Sequence, residues 1–93
     1  MLQVLKRIAQ EVQDGFYVNP NPIETDQILV NHDFYSESTD YKLFTLNGQE
    51  VRSGVINEVP FQISVDGLVN GMYVLYLGSN NKREQIKVLI VRR

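Results

Sequence analysis

After Gly15 the chain is divided into short β-prone runs that are separated by turn residues. These runs predict seven strands, at residues 16–18, 27–31, 41–46, 50–53, 60–65, 71–77 and 85–91. Short strands with turn signals at this spacing are typical of antiparallel sandwiches or barrels. The last two runs are apolar on both faces, as in strands in the middle of a sheet or at an interface. We therefore predict an all-β fold, a β-sandwich of two antiparallel sheets with about seven strands.

Two turn signals make more specific predictions. The dipeptide Asn47-Gly48 predicts a hairpin, and it suits a type I′ turn, in which both central residues have positive φ. Pro20 and Pro22 fix φ, remove two backbone donors and bias the residue before each of them, such as Asn21, towards extended conformations. We expect this proline segment to end the first strand, to cross to the next sheet and to mark the domain boundary.

The stretch DGLVNGMY resembles a tyrosine corner, in which a tyrosine hydroxyl bonds back to upstream backbone in Greek-key sandwiches. Leu68 lies three residues before Gly71, and Tyr73 lies two residues after it. We expect Gly71 to supply backbone freedom and Leu68 to cover the core, which favours an immunoglobulin-like sandwich. The alternative is an ordinary loop with an incidental tyrosine.

Residues 1–14 precede the predicted sandwich, which we place at residues 15–93. Apolar residues fall there at helical spacing, and Asp14-Gly15 supplies a stop signal. The segment is either a short amphipathic helix or a linker from an upstream domain. It lacks the apolar region of a secretory signal peptide.

Composition excludes several classes of protein. The 93 residues are 43% hydrophobic and 22% charged, as in one globular domain. A net charge of −2 without a basic stripe argues against nucleic-acid binding. The longest aliphatic run, residues 88–91, is far shorter than the roughly 20 residues that span a bilayer. Because there is no cysteine, disulfides, thiolate metal sites and cysteine catalysis are excluded.

No catalytic constellation stands out in the sequence. His32 is the one histidine, and with Asp33 it is a candidate dyad, although a lone histidine at a strand end is more often solvated. Asp33, Glu37 and Asp40 are candidate Ca²⁺ ligands, but their spacing matches no EF-hand loop. The serines that lack an adjacent activating histidine are Ser36, Ser38, Ser53, Ser64 and Ser79. We therefore expect no enzyme activity, no metal and no cofactor.

Four motifs occur in one order along the chain: YVNPNP, YKLFTLNGQEV, ISVDGLVNGMYVLYL and KVLIVRR. Together they resemble a type IX secretion C-terminal sorting domain over residues 16–93. In that family a Pro-Asn-Pro-like start is followed by a Gly-Arg or Gly-Lys hairpin, a Leu-x-x-Gly-x-Tyr corner and a basic final strand. Two positions depart from the pattern. Gln49 stands where Arg or Lys is common, and Thr45 stands where an acidic residue or Asn is frequent.

The resemblance implies a folded secretion signal that carries no chemistry of its own. Its implied partners are an N-terminally fused cargo, the outer-membrane translocon, its shuttle proteins and a sortase that cuts the preceding linker and joins the cargo to lipopolysaccharide. The implied location is the periplasm in transit, then the cell surface or the extracellular medium.

The final strand is the candidate partner-binding element, since strand addition at an edge is a general mode of recognition. Its residues are Lys87, Val88, Leu89, Ile90, Val91, Arg92 and Arg93. The alternative is that this strand is only core. Unpaired edges also leave a homodimer by strand addition or swapping open.

A different class of function also fits the sequence: a small immunoglobulin-like surface module that binds glycan or protein. Met72, Val74 and Tyr76, with the Phe34-Tyr35 loop, are its candidate apolar patch. A sorting signal is expected to be the last domain of its parent protein, and a sequence that stops at LIVRR favours the signal. An accessory domain of an enzyme fits equally well but predicts nothing specific.

Overall fold

The computed structural model describes residues 15–19, 21–32, 37–79 and 82–92, and the regular structure in those ranges is β-strand. The strands are β1 (Phe16–Asn19), β2 (Gln27–His32), β3 (Thr39–Thr45), β4 (Glu50–Ile56), β5 (Phe61–Ser64), β6 (Gly71–Gly78) and β7 (Arg83–Ile90). The all-β prediction with seven strands is confirmed. The predicted N-terminal helix or linker lies in residues 1–14, outside the described residues.

The strands form two antiparallel sheets, which confirms the predicted sandwich. One sheet has the order β1-β2-β5, and the other has the order β4-β3-β6-β7. β6 is central and lies between β3 and β7, as its two-sided apolar pattern indicates. β7 is an edge strand, although an isolated parallel bridge joins Ile90 to Ile23, which comes from the segment after β1.

The core lies between the sheets and is aliphatic except for Tyr73. On β6, Tyr73, Leu75 and Leu77 point inward, whereas the residues that alternate with them face solvent. The buried core residues are Val18, Ile23, Ile28, Val30, Leu43, Ile56, Ile63, Val65, Tyr73, Leu75, Leu77, Val88 and Ile90. Full burial of one such aliphatic side chain contributes about 1.5–3 kcal/mol. This core therefore accounts for folding without any disulfide.

The hairpin at Asn47-Gly48 forms between β3 and β4, but the predicted type I′ geometry is wrong. Gly48 has a φ of 89°, whereas no non-glycine residue among those described has positive φ. The Gly48 amide donates to the Thr45 carbonyl at 3.0 Å, and the Thr45 amide donates to the Gln49 carbonyl at 2.9 Å. This is the pattern of a type I turn followed by a glycine bulge, which needs one left-handed residue instead of two.

Thr45 and Gln49, the two departures from the family pattern, meet in this hairpin. The Gln49 amide donates to the Thr45 hydroxyl oxygen at 3.1 Å. Asn, Asp, Ser and Thr side chains all accept such local backbone bonds. The Thr45 hydroxyl therefore supplies a local acceptor inside this turn.

Candidate functional site: the last strand and its clamps

The seven residues that the sequence singles out at the end of the chain lie in different environments. Val88 and Ile90 are fully buried in the core. Lys87 and Val91 are exposed, and Leu89 is half-buried on the solvent face of the four-stranded sheet. Arg92 is held against the body of the domain, as described below, and Arg93 lies outside the described residues. This strand is both an anchored core element and a partly accessible surface.

The outer edge of β7 is covered by the segment Asn21, Pro22 and Ile23, which we call the elbow. The Asn21 side-chain amide donates to the Lys87 carbonyl at 3.1 Å, and its oxygen accepts from the Leu89 amide at 3.2 Å. The Ile23 amide donates to the Leu89 carbonyl at 2.6 Å, and the Val91 amide donates to the Ile23 carbonyl at 2.8 Å. These four bonds satisfy the outward-facing backbone groups between Lys87 and Val91.

The elbow therefore corrects the expectation that β7 is a free edge for strand addition. β1 ends at Asn19, and two residues later the chain lies on the opposite sheet with Ile23 fully buried. Pro20 lies outside the described residues. Pro22 is exposed, and the peptide bond before it is cis. No local pattern marked Asn21 or Ile23 as partners of β7, since about 66 residues separate the bonded groups.

The start of β7 is tied to the start of β1 at the opposite end of the sandwich. The Phe16 amide donates to the Glu84 carboxylate at 2.9 Å. β7 rises about 3.3 Å per residue over its eight residues, so its two ends lie roughly 25 Å apart. The chain therefore enters the sandwich at one end, and Arg92 lies at the other.

Arg92 is held by what we call the terminal clamp: Asp26, Leu68, Asn70 and Arg92. The Asn70 side-chain amide donates to the Arg92 carbonyl at 2.7 Å, and its oxygen accepts from the Arg92 amide at 2.9 Å. The Arg92 guanidinium donates to the Asp26 carboxylate at 2.7 Å and to the Leu68 carbonyl. The Arg92 side chain is only 17% exposed. Its charge is therefore engaged within the fold.

The loop that supplies the clamp also contains the candidate tyrosine corner. The Tyr73 hydroxyl donates to the Val69 carbonyl at 2.6 Å, and the Tyr73 side chain is buried. Leu68 is half-buried against the core. Gly71 has a φ of 152°, which a side chain rarely adopts. The corner thus fixes the backbone on both sides of Asn70, the residue that binds Arg92.

The other side of the sandwich is closed by Arg52 from β4. Its guanidinium donates to the Ser64 carbonyl at 2.9 Å and to the Asp66 carbonyl at 2.6 Å, which covers the edge of β5. Nearby, Tyr41 packs on Phe61 with ring centroids 5.7 Å apart. Burial raises the pKa of the Tyr41 hydroxyl, and the positive charge of Arg52 partly offsets that rise.

Among the described residues, the candidate metal ligands form no metal site, and Ser64 lies far from His32 along β2. The His32 ring packs edge-on against Phe16, with centroids 4.7 Å apart. Ser64 pairs with Gln27, at the far end of β2 from His32. Asp33 and Ser36 lie outside the described residues. Within the described ranges, no three His, Cys, Asp or Glu side chains form a group that could hold a metal ion.

The solvent face of the four-stranded sheet carries an apolar strip, which we call the outer stripe: Phe44, Met72, Val74, Tyr76 and Leu89. Phe44 and Tyr76 pack edge to face at 5.2 Å. Tyr76 is 46% exposed and Met72 is 37% exposed. An open groove of about 790 Å³ borders this aromatic pair and runs past Asp40 and Arg83. The Phe34-Tyr35 part of the candidate apolar patch lies outside the described residues.

In the described part of the chain, no helix is long and apolar enough to cross a membrane.

Comparison with known families identifies a match that covers most of the chain. A family model described as "Secretion system C-terminal sorting domain" matches residues 12–92. No curated protein matches the sequence. The match includes the elbow, the hairpin, the corner and the terminal clamp, so these features lie within one family unit.

Proposed function

Because this chain belongs to the secretion system C-terminal sorting domain family, we propose that its folded β-sandwich is the signal that exports a cargo protein fused ahead of it. The family is that of type IX secretion, so the domain is a sorting signal that directs export towards the cell surface or the extracellular space. The observation that carries the proposal is the family match over residues 12–92. The finer steps below extend it.

The signal acts as a folded surface in this proposal. Residues 87–92, which belong to the segment predicted to contact partners, are held in place by the elbow and the terminal clamp. A partner therefore meets Lys87, Leu89 and Val91 in fixed positions on one face. Fixed positions lower the ordering cost of binding, which favours recognition by shape.

The proposed export route is the one that the resemblance to the family implies. The cargo and domain reach the periplasm, shuttle proteins and the outer-membrane translocon recognise the domain, and a sortase cuts the linker before residue 15. The geometry supports a cut on that side. The start of β1 lies at the opposite end of β7 from the clamp, so cleavage there leaves the clamp intact. Accessible segments outside a packed domain are preferred cleavage sites.

The domain itself performs no chemistry in this proposal. The packing of His32 on Phe16 and the distance along β2 between His32 and Ser64 support that view. The domain then acts through binding alone, and its partners supply the cleavage and transfer steps.

A reporter fusion tests the proposal. The full 93-residue chain is fused behind a periplasmic reporter in a bacterium that has the type IX system, and surface exposure is measured by protease shaving. We expect the wild-type fusion to reach the surface and the core variant Leu75→Asp to stay in the periplasm. Gln62→Ala, an exposed strand position on the other sheet, is the matched control and should be exported normally. Wild-type reporter that remains in the periplasm, or Leu75→Asp that is exported equally well, contradicts the proposal.

The alternative, a surface module that binds glycan or protein, is favoured by one observation: the exposed Met72 and Tyr76 beside an open groove. The same fusion separates the two functions. A binding module leaves its reporter in the periplasm, because the module carries no export signal.

A further inference from the structure

The outer stripe is unusual for a two-sheet sandwich, in which an outward sheet face is normally polar. The outward face of the three-stranded sheet follows that rule, since Leu29 and Tyr17 lie there among five polar residues: Asn19, Gln27, Asn31, Gln62 and Ser64. The four-stranded sheet instead presents five apolar side chains side by side. An exposed apolar strip of this kind marks an interaction surface.

Charges border the outer stripe with opposite signs on its two sides. On the β3–β4 side lie Asp40 and Glu50, both exposed. On the β7 side lie Arg83 and Lys87, which form no ion pair with any described residue. Lys42, which lies on β3 like Asp40, is 3.8 Å from Glu50 in an exposed pair, which contributes little. The β3–β4 side therefore carries two carboxylates and one ammonium and is net negative, whereas the β7 side carries two positive charges, and the apolar residues lie between these charges.

We propose that two copies of this domain pack through their outer stripes, about a twofold axis that runs along the strands between β3 and β6. A twofold axis in that direction places the acidic side of one copy on the basic side of the other, and the reverse. We choose a second copy as the partner because the two sides of this face carry opposite net charges, so the face is complementary to itself. The inference goes beyond the proposed sorting function and does not depend on it.

The strand registers show which side chains meet across such an interface. Glu50 pairs with Phe44, which pairs with Val74, which pairs with Lys87, so these four form one row across the sheet. Rotation about the axis reverses the row. Glu50 then lies opposite Lys87 of the second copy, and Phe44 lies opposite Val74 of the second copy.

The neighbouring rows are also complementary after the rotation. Lys42 and Tyr76 occupy the two central strands of the next row, so the ammonium of one copy lies over the phenol ring of the other, a cation–π arrangement. In the row beyond, Val55 faces Arg83 of the second copy, and Asp40 faces Gly78, which has no side chain and leaves room for the carboxylate beside Arg83. This room is part of the groove, which the second copy fills.

Two of the four lateral edges, β7 and β5, are partly covered by other segments. The elbow covers β7 from Lys87 to Val91, and Arg52 covers the end of β5. Four strands about 4.8 Å apart and about seven residues long give a projected contact of roughly 900 Å² over both copies. Contacts of that size belong to the weak, reversible class. The dimer therefore forms at high local concentration.

Sedimentation equilibrium of the full chain tests the proposal between about 10 µM and about 1 mM, the range where weak contacts of this size populate. We expect a reversible monomer–dimer equilibrium. Tyr76→Lys should weaken the dimer about tenfold or more, because central aromatic residues carry most interface energy. Gln62→Lys introduces the same side chain on the outward face of the other sheet and should leave the equilibrium unchanged. A wild-type chain that stays monomeric, or Tyr76→Lys that dimerises normally, overturns the proposal.

A charge exchange tests the orientation. Glu50→Lys and Lys87→Glu each place like charges opposite each other at two symmetric contacts, so each variant alone should dimerise several-fold more weakly. Mixing the two variants restores both opposite-charge contacts, and so does the double variant E50K/K87E. Recovery of the wild-type dissociation constant within about threefold supports the axis, and no recovery overturns it. Export of the reporter fusion is measured separately, so failure of the dimer leaves the sorting function intact.

Discussion

Replacing Tyr73 by phenylalanine removes one hydroxyl and leaves the buried ring in place. That hydroxyl donates to the Val69 carbonyl at 2.6 Å, across the corner that contains Asn70. Asn70 binds both backbone groups of Arg92. Loss of the Tyr73 hydroxyl should therefore make the end of β7 more mobile and should also lower the stability of the fold. Tyr73→Phe is therefore the sharpest single test of how the corner works.

The expected magnitude follows from one part-buried hydrogen bond. A typical intramolecular hydrogen bond contributes about 0.5–1.5 kcal/mol net. The short distance and the buried ring place this bond near the upper limit, so we expect the free energy of unfolding to fall by about 1–1.5 kcal/mol. For a domain of this size, each 1 kcal/mol lowers the melting temperature by about 4–8 °C. The m-value should not change, because the buried surface is the same.

Urea unfolding measures the free energy of unfolding, and hydrogen exchange of the Arg92 amide measures how firmly the end of β7 is held. Tyr76→Phe is the matched control: it removes the same atom from the same strand on the solvent face, and its effect should stay within about 0.5 kcal/mol. In Tyr73→Phe, hydrogen exchange of the Arg92 amide should become faster than the loss of global stability explains. Exchange of the core Val88 amide should become faster only by the amount that the lower global stability predicts. Equal losses in both tyrosine variants, or no loss in Tyr73→Phe, would refute the reasoning.

Four further perturbations test other contacts. Asn21→Ala removes two bonds to the outer edge of β7 and should lower the unfolding free energy by about 1 kcal/mol, with faster amide exchange at Leu89. Gly54→Ala places a methyl group 2.8 Å from the Tyr41 ring and should destabilise the fold by about 1–3 kcal/mol in thermal melts. The folded protein binds the Tyr41 phenolic proton more tightly than the unfolded chain does, so stability should fall as pH rises above 10.0. Arg52→Ala should raise the pKa of Tyr41 further, as measured by phenolate absorbance.

The strand layout was predictable because it depends on local signals. Alternation of inward Tyr73, Leu75 and Leu77 with outward neighbours marks β6, and glycine and asparagine at 47–48 mark a hairpin. The turn type was not predictable from the dipeptide alone. Asn-Gly serves both a two-residue type I′ loop and a longer loop that ends in a glycine bulge, and the Thr45 hydroxyl favours the longer one.

The contacts that hold β7 were beyond sequence reasoning for a physical reason. The side chains of Asn21 and Asn70 bind backbone groups of residues 22 to 68 positions away. A carbonyl or an amide is present at every position, so such a bond leaves no residue-type signature at its other end. The sequence also does not reveal that the positive charge of Arg92 is engaged within the fold. Its partners, the Asp26 carboxylate and the Leu68 carbonyl, are both distant from it along the chain.

Gly15 and the terminal clamp are separated by the length of β7. This separation has a consequence for proteins that are fused to the N-terminal side of the domain. A bulky protein fused ahead of β1 joins the sandwich at the end beside Glu84. We expect it to leave the opposite end, at Asn70 and Arg92, accessible. Under the proposed sorting function, we expect fused proteins of different size and shape to leave the Asn70–Arg92 end accessible to partners.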